Sequence, residues 1–159
     1  MAETNKKSPV LRIGMSEHIV TTESCLLSSI GLGSCVAIML YDKKMKIGGM
    51  AHSVLPSSVA VEESKKSAKF VDIAIQIMLS EFEKLDSKIE DIIAKLSGGA
   101  NMFPNIGERN SQSAKMILKE SNVKLLGEDC GGNRGRSVSM NLKDGSVSIK
   151  YTDGTYKSI

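Results

Sequence analysis

At 159 residues, 41% hydrophobic and 25% charged, the chain fits one domain with a full core and has the balance of an ordinary globular protein. Its net charge of +3 is scattered rather than gathered into a Lys/Arg block, and aromatics make up only 4%, so nucleic acid is not expected as a partner. Three cysteines (Cys25, Cys35 and Cys130) form no CxxC pair and no even disulfide set, and with only two histidines no metal-ligand spacing emerges.

The first ten residues, MAETNKKSPV, lack the apolar centre of a signal peptide and read as a flexible tail (1–10) ahead of a single domain (11–159). No apolar run reaches the length of a membrane span, so no membrane insertion is expected and the protein is placed in the cytoplasm. After GLGSC (31–35), two apolar runs at 35–42 and 46–55 flank the polar turn DKKM and read as adjacent strands. A polar stretch, PSSVAVEESKKS, leads into a helix expected over 65–86, where Val71, Ile75, Met78, Phe82 and Leu85 recur at helical spacing. A short strand at 91–96, a second helix at 108–121 with Ala114, Ile117 and Leu118 inward, and a strand at 123–127 follow. Val138, Met140 and Leu142, then Val147, Ile149 and Tyr151, alternate with polar residues around KDGS, the pattern of a β-hairpin. Strands outnumber helices without strict alternation, which predicts an α+β layered fold with two main helices. Four glycine-rich stretches (around 31–35, 47–52, 97–110 and 128–137) fall at strand edges and would surround one pocket if those edges gather on one side.

GLGSC fails as a dinucleotide fingerprint because Val36 stands where a third glycine is needed, and it lacks the Gly-Lys-Ser/Thr of a phosphate loop. It suits a cysteine nucleophile, since glycines permit a tight turn whose free backbone N–H groups can hold an oxyanion. The competing reading is a buried cysteine at a strand start. His52, in GGMAHSVLP, would lie beside Cys35 if the two strands pair, and could draw off the thiol proton to give a thiolate–imidazolium pair. Ser29 and Asp42 are both candidates to orient the imidazole, Asp42 being better suited to capping the strand turn. His18 reads as structural; Cys25 lacks a glycine frame and Cys130 lacks a histidine. Arg109, Arg134 and Arg136 read as clamps on loop carbonyls.

GLGSCVAIMLYD, GGMAHSVLP, SGGANMF, NIGERN and GEDCGGNRGRSV, in this order and spanning residues 13–150, together resemble the CheD family of chemoreceptor glutamine deamidases. The resemblance implies a cysteine hydrolase with a layered α/β sandwich built on a mixed sheet, related in fold to toxin glutamine deamidases. It implies Cys35 as nucleophile, His52 as general base and acid, Ser29 at a position where the family usually has threonine, and an oxyanion site near Gly33, Ser34 and Cys35. Cys130 likewise stands where threonine is common. The implied reaction converts glutamines on the cytoplasmic domains of chemoreceptors to glutamates through a thioester, without a cofactor. Receptor methylesterase activity and binding to a CheC-type phosphatase are implied as well. The alternatives are an adaptor that binds receptor and phosphatase without chemistry, which would need neither Cys35 nor His52, and a redox-sensing thiol, which would need a second cysteine close to Cys35.

Overall fold

A computed structural model describes residues 7–159, so residues 1–6 of the expected tail lie outside the described residues. Val10, assigned to that tail by sequence, instead opens the first strand. In chain order the elements are β1 (Val10–Arg12), β2 (His18–Thr21), β3 (Leu26–Leu32), β4 (Val36–Asp42), β5 (Ile47–Ser53), α1 (Val71–Lys84), β6 (Ile92–Gly98), α2 (Ile106–Glu120), β7 (Lys124–Cys130), β8 (Arg136–Asn141), β9 (Val147–Tyr151) and β10 (Tyr156–Ser158). The α+β class and the two main helices are as expected. Where one mixed sheet was expected there are two, of five strands each: a central sheet ordered β2-β5-β4-β6-β7 and an outer sheet ordered β1-β3-β8-β9-β10. Each holds one parallel pair, β6–β7 and β1–β3.

Three layers result. All seven residues of β4 and all seven of β5 are buried, because the central sheet is covered on both faces. Val36, Ile38 and Leu40 face the helices, meeting Ile75, Met78 and Phe82 of α1 and Ala114 and Leu118 of α2. Ala37, Met39 and Tyr41 face the outer sheet, meeting Leu27, Val138, Met140 and Ile149. The outer sheet has one wet face, so β8 and β9 show the clean alternation that made them legible as a hairpin.

Helix α1 starts six residues later than the 65–86 pattern predicts. Residues 68–70 form a turn and a single β-bridge held to the end of β5: Val54 and Leu55 donate to the Lys69 carbonyl, Val71 donates to that of Leu55, and the Ser53 hydroxyl donates to that of Ala68. Those bonds outcompete the helical pairing that the sequence spacing favours locally. Leu85, expected on the buried face, lies just past the helix end and is 38% exposed.

Candidate active site

Four pieces of chain meet at one end of the two sheets. In β3, a bulge between Ser29 and Leu32, with Gly31 at φ +71°, inserts one residue against β8. The extra residue restores the inward direction at Leu32, so Ser29 and Leu32 both turn into the space between the sheets. The chain then crosses through Gly33 and Ser34 to Cys35, which enters the central sheet at β4. In that sheet Ala37 pairs with His52 of β5, so Cys35, Ala37 and His52 share the face that looks toward the outer sheet. All three expected site residues are buried there: Ser29 is 1% exposed, His52 2% and Cys35 6%.

The hydrogen bonds fix the imidazole's proton. Ser29 Oγ lies 2.7 Å from the Ile13 carbonyl oxygen and 2.8 Å from His52 Nδ1. A carbonyl can only accept, and serine has one hydroxyl proton, so Ser29 donates to Ile13 and accepts from Nδ1–H. Nε2 is therefore the unprotonated nitrogen, and it is buried with no hydrogen-bond partner. Asp42, the rival orienting group, is committed to its turn: its carboxylate accepts the N–H groups of Lys44 and Met45 and the hydroxyl of Ser87.

Burial pushes the Cys35 thiol above the ordinary thiol range, partly offset by its own backbone N–H, and burial holds the His52 imidazole below its ordinary value. Cys35 Sγ makes no hydrogen bond to the imidazole. Burial between the sheets thus disfavours the charged form of each group, the thiolate and the imidazolium alike. The backbone N–H groups of Gly33 and Ser34 donate to no acceptor among the described residues, which leaves them available to an oxyanion.

Two supports escaped the sequence reading. Asn110, fully buried in α2, donates from Nδ2 to the carbonyls of Ser34 and Val54, both at 2.9 Å. It ties the segment before Cys35 to the segment after His52. The signal was available, since Asn110 is a polar residue one turn ahead of Ala114 and Leu118 on the inward stripe. Gly98, at φ +117°, passes so close to the Cys35 carbonyl that a Cβ would lie 2.3 Å from its oxygen. No other residue fits between β6 and the start of β4 there.

Three of the four glycine-rich stretches gather at this end. Ala100 donates to the Gly33 carbonyl, Asn101 to that of Gly132 and Gly131 to that of Gly98. They border a groove of 630 Å³ whose walls include Gly31, Gly33, Met102, Gly135, Tyr151 and Gly154. The groove ends at Gly33, two residues short of Cys35. The fourth stretch does not join them: Gly48 and Gly49 sit inside β5, where a Cβ would meet Leu142 and Phe82. Arg136 clamps loop carbonyls as expected, holding those of Asp129, Gly131 and Arg134 and pairing with the Asp129 carboxylate at 2.8 Å. Arg134 instead stacks 3.7 Å from the centre of the Tyr151 ring. His18 bonds Glu81 at 3.0 Å, tying β2 to α1.

All three cysteines are free thiols, and neither of the other two is joined to Cys35. Cys130 packs on the helix side of the central sheet, opposite to Cys35, with its thiol pushed up to about 11 by burial, and Cys25 lies fully buried next to Leu142.

Residues 54–151 match the family model described as CheD chemotactic sensory transduction. A probable chemoreceptor glutamine deamidase CheD of Caldanaerobacter subterraneus subsp. tengcongensis is 39% identical over 91% of this chain and 94% of its own. A probable chemoreceptor glutamine deamidase CheD 2 of Geobacter metallireducens is 40% identical over 96% of this chain and 99% of its own. The chemoreceptor glutamine deamidase CheD of Thermotoga maritima is 40% identical over 89% and 92%. With such identity sustained along nearly the whole of each sequence, the chain belongs to the CheD family.

Proposed function

We propose that this protein is a cysteine hydrolase that deamidates glutamine side chains on the cytoplasmic domains of chemoreceptors, giving glutamate and ammonia. Within a family whose relatives carry that activity in their names, one observation carries the reading: His52 has its Nδ1 proton committed to Ser29 and its Nε2 lone pair unpartnered on the face it shares with Cys35. A nucleophile's proton acceptor needs that arrangement. Cys35 Sγ attacks the glutamine δ-carbonyl while Nε2 takes the thiol proton. The N–H groups of Gly33 and Ser34 hold the oxyanion. The imidazolium returns the proton to the departing ammonia, leaving a thioester that water hydrolyses. No cofactor enters these steps. A glutamyl methyl ester would reach the same thioester with methanol leaving.

Met102, 48% exposed, lines the groove, and Ile30 and Phe103, exposed at 57% and 65%, adjoin its lining residues Gly31 and Met102 in the chain; together they supply an apolar landing for a receptor helix. A CheC-type phosphatase would compete for the same landing. No helix among the described residues is long and apolar enough to cross a membrane. Incubation with a receptor cytoplasmic domain should add about 1 Da per modified glutamine by mass spectrometry, the amide-to-acid change that defines this reaction class. An unmodified receptor with a bound protein would favour the adaptor instead.

Ser29→Ala should cut turnover about tenfold, the worth of one neutral hydrogen bond of about 1.4 kcal/mol, by freeing the imidazole to take the wrong tautomer. Ser29→Thr keeps the hydroxyl and should retain most activity. Equal turnover in Ser29→Ala and the parent would remove Ser29 from the machinery.

A further inference from the structure

Ser97 is the exception among the buried serines. Those at 29, 53, 58, 87 and 111 each donate a hydroxyl hydrogen bond, whereas Ser97 Oγ, fully buried in β6, has no partner. A buried hydroxyl without a partner is costly, and such groups ordinarily hold a water or a ligand. Its place in the sheet says which. Ala37 pairs with His52 on one side and with Ser97 on the other, so all three project toward the outer sheet, with the smallest side chain in the middle. Cys35 precedes Ala37 on the same face. Farther along the row, Asp129 pairs with Ser97 but is engaged by Arg136 and Tyr151. Two buried polar atoms, His52 Nε2 and Ser97 Oγ, thus belong to the residues on either side of Ala37 on one sheet face, and neither has a partner.

We infer that Ser97 holds the hydrolytic water of the second half-reaction, in concert with His52 Nε2. The inference rests on the cysteine-hydrolase reading above. The inventory of donors and acceptors closes: Nε2 can only accept, so the water donates one proton to it and accepts the Ser97 hydroxyl proton, which directs an oxygen lone pair toward the thioester on Cys35. In the step itself the water oxygen bonds to the thioester carbonyl carbon and its proton passes to Nε2. The carbon–sulfur bond then breaks, and the departing thiolate takes the proton back from the imidazolium. The products are the glutamate carboxyl group and the free Cys35 thiol.

Ser97→Ala separates this role from a structural one, because deleting an unpartnered hydroxyl removes an unsatisfied group and should leave the melting temperature unchanged or raised. The steady-state rate on a receptor cytoplasmic domain should nevertheless fall about tenfold or more, the scale of one hydrogen bond to the reacting water. The first turnover should still release ammonia at the parent rate, and intact-mass spectrometry should find the receptor joined to Cys35. Hydroxylamine, a nucleophile that needs no held water, should restore turnover by forming the hydroxamate. Parent-like steady-state rates in Ser97→Ala would overturn the inference, as would a first-turnover loss equal to the steady-state loss. If the parent itself gives neither covalent adduct nor hydroxamate, then the cysteine-hydrolase reading fails, and the role of Ser97 falls with it.

Discussion

Cys35→Ala is expected to abolish glutamine deamidation, by roughly 10⁴-fold or more, the scale seen when a covalent nucleophile is removed. No other thiol can take over. Cys25 has no exposed surface, and Cys130 lies on the opposite side of the central sheet with a thiol that stays protonated until about pH 11. The variant should stay folded, since alanine fills most of the space of a buried cysteine and that thiol makes no hydrogen bond to the imidazole. Alkylation adds a second readout. A resting ion pair would make Cys35 react fastest near neutral pH. Burial instead holds the thiol above its ordinary range, so iodoacetamide labelling should be slow at neutrality and climb as the solution becomes alkaline. Activity that persists in Cys35→Ala but disappears in Cys130→Ala would reassign the nucleophile.

His52→Ala should lower turnover by roughly 10²–10⁴-fold while receptor binding stays near the parent value. The pH profile carries the finer test. Burial depresses the imidazole's proton affinity, and only the neutral ring can accept the thiol proton, so the acidic limb of kcat/KM should fall below about pH 6.5, the ordinary histidine value. The same shift links to stability. Protonation is disfavoured in the folded state, so the stability that a neutral His52 contributes is fully present above about pH 6.5 and is lost as pH falls through the lower folded value. The alanine variant should lose that part of the acid sensitivity. An acidic limb above the ordinary histidine range, or binding that drops as steeply as turnover, would make His52 a structural residue.

The pairing of Cys35 with His52 was legible because 35–42 and 46–55 are apolar on both faces and joined by a short turn, which leaves an antiparallel pair as the economical arrangement. The protonation state was not legible, since it depends on the outer sheet closing over the pair. That sheet was hard to see: β1 and β10 have three residues each and carry mostly exposed side chains, too short to show a period. Ser29 could be named only alongside Asp42. Choosing between them needed Ile13, whose carbonyl comes from the stretch after β1 and takes the serine proton. Ser97 was invisible for a different reason. Polar residues on buried faces stand out only once burial is known.

Ser29 and the imidazole to which it is hydrogen-bonded belong to different sheets, Ser29 to the outer and His52 to the central one. The outer sheet seats β3 between β1 and β8, and β8 follows β3 only after both helices and four strands of the central sheet. A nascent chain therefore carries its thiol and imidazole long before it can align them. An enzyme whose product is an irreversible edit to another protein's sequence gains a safeguard from this layout. Under the proposed mechanism, truncated or half-folded copies would hold Cys35 and His52 yet lack the frame that aligns them.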